Sequence, residues 1–110
     1  MTGLAPTLAV YLLAALAEIG GCFAYWSWAR SGASLWWLLP GVASLCLFAW
    51  ALTLSEPTAA GRAFAAYGGI YVLTAVAWLV LVERTPATRA DMLGVGLCVA
   101  GCVVILTGRR

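Results

Sequence analysis

Histidine and lysine are both absent from this 110-residue chain, and charged residues make up only 9% of it. Without histidine there is no imidazole base and no imidazole metal ligand. All six basic residues are arginine, and a net charge of +2 predicts no nucleic-acid partner. No nucleophile–base pair and no phosphate-binding loop after a strand stand out, so we do not expect an enzyme.

Cysteine is present, but not in a pattern that binds metal or forms a disulfide framework. All four cysteines fall inside apolar runs and none has CxxC spacing. Cys98 and Cys102 lie four positions apart on one helix face, which alone is a weak hint of a metal site. We interpret all four as small apolar packing residues, with no metal site and no cofactor.

Hydrophobic residues account for 65% of the chain, which indicates a membrane protein. Apolar segments cover about residues 6–28, 34–54, 63–82 and 92–107, each long enough to cross a bilayer as a helix, the last being the shortest. No arginine precedes Arg30, so the first segment has no signal-peptide n-region and predicts a retained helix. The loops are short, which predicts a single all-α domain of four transmembrane helices over residues 1–110.

One carboxylate lies near the middle of the first apolar segment. Glu18 is followed by its first charged neighbour only at Arg30. A carboxylate at that depth costs about 3 kcal/mol on insertion scales, so such residues usually face a cavity or a partner helix. Its same-face neighbours include Ala14 and Gly21, whose small size leaves room for a ligand or a partner helix. The alternative is a protonated Glu18 that only hydrogen-bonds a neighbouring helix.

The third segment carries aromatic residues at helical spacing. An aromatic wall opposite a carboxylate suits a hydrophobic cation, through the ring quadrupoles and the counter-charge. Aromatic residues at this spacing could equally face lipid or pack in the core. The stripe consists of Phe64, Tyr67, Tyr71, Thr74 and Trp78.

Glycine pairs in the last two segments predict either motion or close packing. Gly68 and Gly69 would allow a kink, a natural hinge for alternating access, although close helix packing explains them as well. Gly94 and Gly101 lie seven positions apart and share a face. Small residues let helices approach in lipid, so we predict the dimer contact there.

The arginines give no orientation preference. Four spans place Arg62 and the two C-terminal arginines on one side of the membrane, and the other three arginines on the opposite side. A chain without bias can insert both ways, which predicts dual topology and an antiparallel homodimer. Arg62 could snorkel to water, pair with Glu56 or reach the cavity.

Two stretches of the sequence resemble a known family. Residues 17–22 read Ala-Glu-Ile-Gly-Gly-Cys, and residues 61–71 read Gly-Arg-Ala-Phe-Ala-Ala-Tyr-Gly-Gly-Ile-Tyr. With four predicted spans and the Gly94-to-Gly101 spacing, they resemble the small multidrug resistance superfamily, most closely its YnfA-like branch, over nearly the whole chain. The resemblance implies an antiparallel homodimer in the bacterial inner membrane that exchanges protons for a small cationic substrate.

The resemblance also implies roles for individual residues. Glu18 matches the family's essential carboxylate, which binds either proton or substrate, and Ala14 and Gly21 match positions that line its pocket. Tyr67 stands where multidrug members usually carry tryptophan. Phe64 stands where they usually carry tyrosine, which removes a hydroxyl that can hydrogen-bond the carboxylate. With Tyr71, these are the predicted substrate-binding residues.

The sequence therefore predicts a proton-coupled antiporter that exports small lipophilic or aromatic cations. The proton gradient would drive it without a cofactor, and its partners would be membrane lipid, a second copy and the cation. Export of guanidinium-like cations is a narrower alternative, because two carboxylates can hold a planar ion bidentately. A membrane subunit without transport activity is an alternative of a different class.

Overall fold

The computed structural model describes residues 4–55, 57 and 59–108, and these residues form four α-helices. Helix α1 spans Leu4–Ser31, α2 spans Leu38–Leu52, α3 spans Ala60–Leu81 and α4 spans Arg89–Thr107. A 3₁₀ turn at Leu35–Trp37 leads into α2. Counting that turn with α2, all four are long and apolar enough to cross a bilayer. The chain is an all-helical, multi-pass membrane protein.

The helix bounds differ from the expected ones at the ends. The fourth helix was predicted to be the shortest, which is wrong: α4 has 19 residues and α2 has 15. Helix α4 begins early because Thr88 and Asp91 form a capping box, each side chain accepting from the other's backbone N–H. Both residues precede the predicted fourth segment, which begins at about residue 92.

The two loops that share one end of the molecule use left-handed backbone to leave their helices. Gly32 has φ +73° after α1, and Arg84 has φ 56° after α3. In each loop the following N–H folds back onto a helix carbonyl, Ala33 onto Ser27 and Thr85 onto Leu79, both at 3.0 Å. Only Gly32 adopts this conformation at no steric cost, because Arg84 carries a Cβ.

The helices pack chiefly as α2 on α1, α1 on α3 and α3 on α4. Two glycines mark the closest approaches. A Cβ on Gly21 would lie 2.7 Å from the Gly41 carbonyl oxygen, and one on Gly69 would lie 2.6 Å from Cys102 Cβ. Glycine in lipid-embedded helices allows such backbone contact. The core that results joins all four helices and contains Tyr11, Ala14, Ala15, Ala51, Leu52, Ala66, Tyr67, Ile70, Cys102 and Leu106.

The paired glycines of α3 have different surroundings. The helix runs without interruption through both residues. Gly69 is buried against α4, whereas a Cβ on Gly68 would meet nothing within 4 Å. The close-packing alternative therefore describes Gly69, while a hinge at Gly68 and Gly69 stays a prediction.

The outer face of α4 is open. A Cβ on Gly94 or Gly101 would meet no other group within 4 Å, and Leu97 and Val104 on this helix are 67% exposed. This face can meet lipid or another chain, so the dimer contact predicted at Gly94 and Gly101 stays a prediction.

Candidate functional site

The side chains of Glu18 on α1 and Tyr67 on α3 contact each other between the packed helices. The Tyr67 hydroxyl donates a hydrogen bond of 2.5 Å to Glu18 Oε1. Glu18 is partly buried and Tyr67 is 6% exposed. A hydroxyl that donates to a carboxylate forms one of the short, strong classes of hydrogen bond, so this contact fixes where the carboxylate lies.

Tyr67 is held by aromatic rings from three helices. Its ring centroid lies 5.8 Å from that of Tyr11 in an edge-on contact, 5.5 Å from that of Phe48 and 6.0 Å from that of Tyr71. Rings at these separations attract one another beyond their burial. The cluster therefore orients the hydroxyl that contacts Glu18.

The backbone beside Glu18 is anchored as well. On α2, the Ser44 hydroxyl donates to the Ala17 carbonyl oxygen at 2.6 Å. Gly21, one turn beyond Glu18, lies against the backbone of Gly41. The carboxylate thus projects from a segment of α1 that α2 fixes in place.

Tyr67 supplies the hydroxyl that contacts the Glu18 carboxylate, which Phe64 cannot do. Phe64 lacks the hydroxyl that multidrug members usually carry at this position, and Tyr67, one turn further along α3, makes a hydrogen bond to the carboxylate. A donor one turn away can reach the same carboxylate through a different side chain.

The other predicted substrate-binding residues lie in three different surroundings. Ala14 is fully buried in the core, and Gly21 is at the α1–α2 contact. Phe64 is 56% exposed beside α2 and the α2–α3 connection, in a separate hollow with Leu52 and Pro57. Of the predicted set, only Tyr67 and Tyr71 join Glu18 in the aromatic cluster. Substrate contact by any of them stays a prediction.

A cavity of about 270 Å³ opens between α1 and α3, beginning one turn from Glu18. We call it the α1–α3 chamber. Tyr71 connects it to the aromatic cluster, and Glu83 lies where α3 ends. The lining residues are Ile19, Cys22, Phe23, Trp26, Tyr71, Ala75, Trp78 and Glu83.

The remaining ionisable residues are dispersed. Arg62 lies in the first turn of α3 and is exposed, and its suggested partner Glu56 lies outside the described residues. Cys102 is buried, while Cys22, Cys46 and Cys98 are exposed on the helices. Within residues 4–55, 57 and 59–108, no group of three potential ligands from His, Cys, Asp and Glu comes together.

Comparison with known proteins shows the family to which the chain belongs. The family described as "Uncharacterised BCR, YnfA/UPF0060 family" matches residues 4–110. A "UPF0060 membrane protein" from Gluconacetobacter diazotrophicus is 56% identical over 110 residues, covering 100% of this chain and 96% of that protein. The chain belongs to the YnfA/UPF0060 family. This family is part of the small multidrug resistance superfamily, so the resemblance seen in the sequence is confirmed. No solved structure matches the chain.

Sequence reasoning missed most of the chamber in this YnfA/UPF0060 protein. Phe23 and Trp26 were not singled out as site residues, and Glu83 was assigned only to a loop. Helical spacing does relate Ile19, Cys22, Phe23 and Trp26 as one face of α1. What the sequence could not supply is that α3 presents Tyr71 and Trp78 to that face.

Proposed function

We propose that this protein is a proton-coupled antiporter of small lipophilic or aromatic cations, in which Glu18 binds either a proton or the substrate. The observation that supports it most is the Tyr67–Glu18 hydrogen bond in the middle of the apolar helices. A carboxylate kept at that depth, with a dedicated donor and an aromatic cluster around it, is suited to exchange ligands rather than to fill space.

The exchange follows from competition for one carboxylate. When ionised, Glu18 attracts a cation, and the rings of Tyr67 and Tyr71 can contact its apolar part. When protonated, Glu18 has no charge to hold the cation, which then leaves. One group that binds either ligand, but not both, couples their opposite movements.

The proposal includes an antiparallel homodimer in the bacterial inner membrane. Two copies inserted in opposite directions would present Glu18 alternately to each side, as inverted repeats do in other transporters. The outer face of α4 with Gly94 and Gly101 is open, and this supports the proposal because a second copy could pack there.

Transport into liposomes tests the proposal. Purified protein in a vesicle with an imposed pH gradient should move an aromatic cation against the proton flow. Glu18→Gln should abolish the pH-dependent component, because glutamine keeps an acceptor for Tyr67 but cannot carry the charge. Glu18→Asp is the matched control and should retain measurable exchange. Undiminished pH-driven transport by Glu18→Gln would rule the proposal out.

Competition then separates substrate classes. Guanidinium should inhibit uptake of an aromatic cation less than a second aromatic cation does, if the rings contribute to binding. Stronger inhibition by guanidinium would favour the narrower, guanidinium-exporting alternative. Folded protein that moves no cation would favour a subunit without transport activity.

A further inference from the structure

Four of the eight described residues that line the α1–α3 chamber are aromatic. Phe23 and Trp26 come from α1, and Tyr71 and Trp78 come from α3. The centroids of Phe23 and Trp78 are 5.4 Å apart in an edge-on contact, which joins the two walls. Several ring faces around a small cavity provide the environment in which organic cations bind.

Among the described residues that line this chamber, Glu83 alone carries a charged side chain. It lies just beyond the end of α3, where its backbone N–H donates to the Trp78 carbonyl oxygen at 3.2 Å. This hydrogen bond holds the backbone of Glu83, an exposed residue, at the end of the chamber where α3 ends. An acidic residue beside aromatic walls favours a cationic ligand over a neutral one.

One wall of the chamber already interacts with a cation. The Arg30 guanidinium lies over the Trp26 ring, with Cζ 4.7 Å from the centroid. This contact shows that the ring is accessible to a delocalised positive charge. It also places a like charge near any cation in the chamber, which would weaken binding.

One of the residues that line the chamber carries a buried hydrogen-bond donor. Trp78 Nε1 makes no hydrogen bond to another described residue. Buried N–H groups are normally paired, so this donor is an exception among the described residues.

We propose that the α1–α3 chamber is a second binding site, for a small monovalent aromatic cation, in which Glu83 is the counter-charge and Phe23, Trp26, Tyr71 and Trp78 form the walls. The proposal extends the proposed function, because Cys22 and Tyr71 bring the chamber within one helical turn of Glu18. A cation bound in the chamber would lie close to Glu18, the carboxylate of the proposed exchange. Binding of the cation in the chamber does not depend on whether the protein transports it.

The test is calorimetric titration of phenyltrimethylammonium into detergent-solubilised Glu18→Gln protein, which removes the charge of the first site. This protein should still bind one cation per chain. Relative to the Glu18→Gln protein, the double variant with Glu83→Gln should bind the cation at least fivefold more weakly. The double variant with Glu83→Asp should bind it with an affinity within twofold of that reference. Arg30→Gln should tighten binding about twofold or more, and the exposed Arg62→Gln should leave it unchanged.

A neutral probe separates charge recognition from apolar partitioning. tert-Butylbenzene has the same shape as phenyltrimethylammonium without its charge, so its uptake should not respond to Glu83→Gln. Size-exclusion profiles establish that each variant is folded. Failure of Glu18→Gln protein to bind phenyltrimethylammonium, or equal affinity with and without Glu83→Gln, would overturn the chamber site. Neither result bears on whether Glu18 drives transport, which the liposome experiment decides separately.

Discussion

Glu18 and Tyr67 are 49 positions apart in the sequence, yet they form the hydrogen bond on which the proposed exchange depends. In the proposed exchange, a cation at the carboxylate would have to share it with this hydroxyl or displace it. Tyr67 is therefore expected to position the carboxylate, while the neighbouring rings keep Tyr67 in place. Tyr71 contacts the same cluster but makes no hydrogen bond to another described residue through its hydroxyl.

Removing one oxygen from Tyr67 should therefore have a larger effect than removing one from Tyr71. Tyr67→Phe keeps the ring but removes the donor, and hydrogen bonds to charged groups contribute about 1.5–3 kcal/mol. We expect pH-driven cation uptake to fall about tenfold, since 1.4 kcal/mol corresponds to a factor of ten. Tyr71→Phe, measured in the same liposomes, should change uptake less than threefold. Equal effects of the two substitutions would contradict the role given to Tyr67.

The carboxylate itself could be predicted from the sequence, whereas its partner could not. The position of a charged residue in the middle of an apolar segment identifies Glu18 without any knowledge of the fold. Phe64 and Tyr71 are seven positions apart and nearly share a helix face, but about 10 Å of helix axis separates them. That axial distance puts Phe64 beside Leu52 and Pro57, and Tyr71 beside the chamber. Only the packed arrangement of α1 and α3 decides which residue reaches Glu18.

At the scale of the helices, two glycines determine how closely neighbouring helices can pack. Gly21 lets α1 contact α2, and Gly69 lets α3 contact α4 near Cys98 and Cys102. The sequence predicts that glycine pairs in lipid mean either kinks or close contacts. It could not say which glycine of the pair at 68 and 69 makes the contact, because that depends on how α3 is rotated toward α4.

Alanine at these two adjacent positions should have opposite effects. At Gly69 an added Cβ would collide with the Cys98 carbonyl oxygen and Cys102, and overpacking costs about 1–3 kcal/mol. Gly69→Ala should therefore lower the midpoint temperature of thermal unfolding in detergent. The loss of the monodisperse size-exclusion peak on heating measures this midpoint. Gly68→Ala has open space and should hold or raise the midpoint, since alanine is the better helix former by about 0.5–1 kcal/mol. A lower midpoint for Gly68→Ala alone would show that the packing of α3 is wrongly described.

The whole molecule is flat rather than globular. Its principal extents are 48 × 33 × 19 Å, and its radius of gyration is 14.9 Å. A globular domain of this length has a radius of gyration of about 13 Å. A flat row of helices leaves the α1–α3 chamber open and one face of α4 uncovered. A second copy, as proposed, would complete an enclosure around the carboxylates.

The number and type of spans could be predicted from composition, because four apolar runs are separated by short polar breaks. Assembly could not be, because one chain does not show which face meets a second copy. The equal arginine count on the two sides gives only an expectation of dual insertion. Because the two sides carry equal numbers of arginines, one substitution should be enough to change the preferred orientation in the membrane.

Orientation should therefore respond to one arginine at a time. Arg30→Gln leaves fewer positive charges on the side of the first and third loops, so more molecules should insert with both termini in the cytoplasm. Arg62→Gln should shift the population the opposite way. Alkaline phosphatase and fluorescent-protein fusions at the C-terminus report the two populations. Activity of only one reporter in the unsubstituted protein, with no response to either change, would contradict dual topology.

Proton release on cation binding tests the central proposal most directly. Detergent-solubilised protein in weak buffer should release protons when an aromatic cation is added, because the cation displaces a proton from Glu18. Glu83→Gln protein should still release them at saturating cation, whereas Glu18→Gln protein should release none. Equal release from the Glu18→Gln protein would show that the exchanged proton resides elsewhere, and would contradict the account of Glu18 as the shared site.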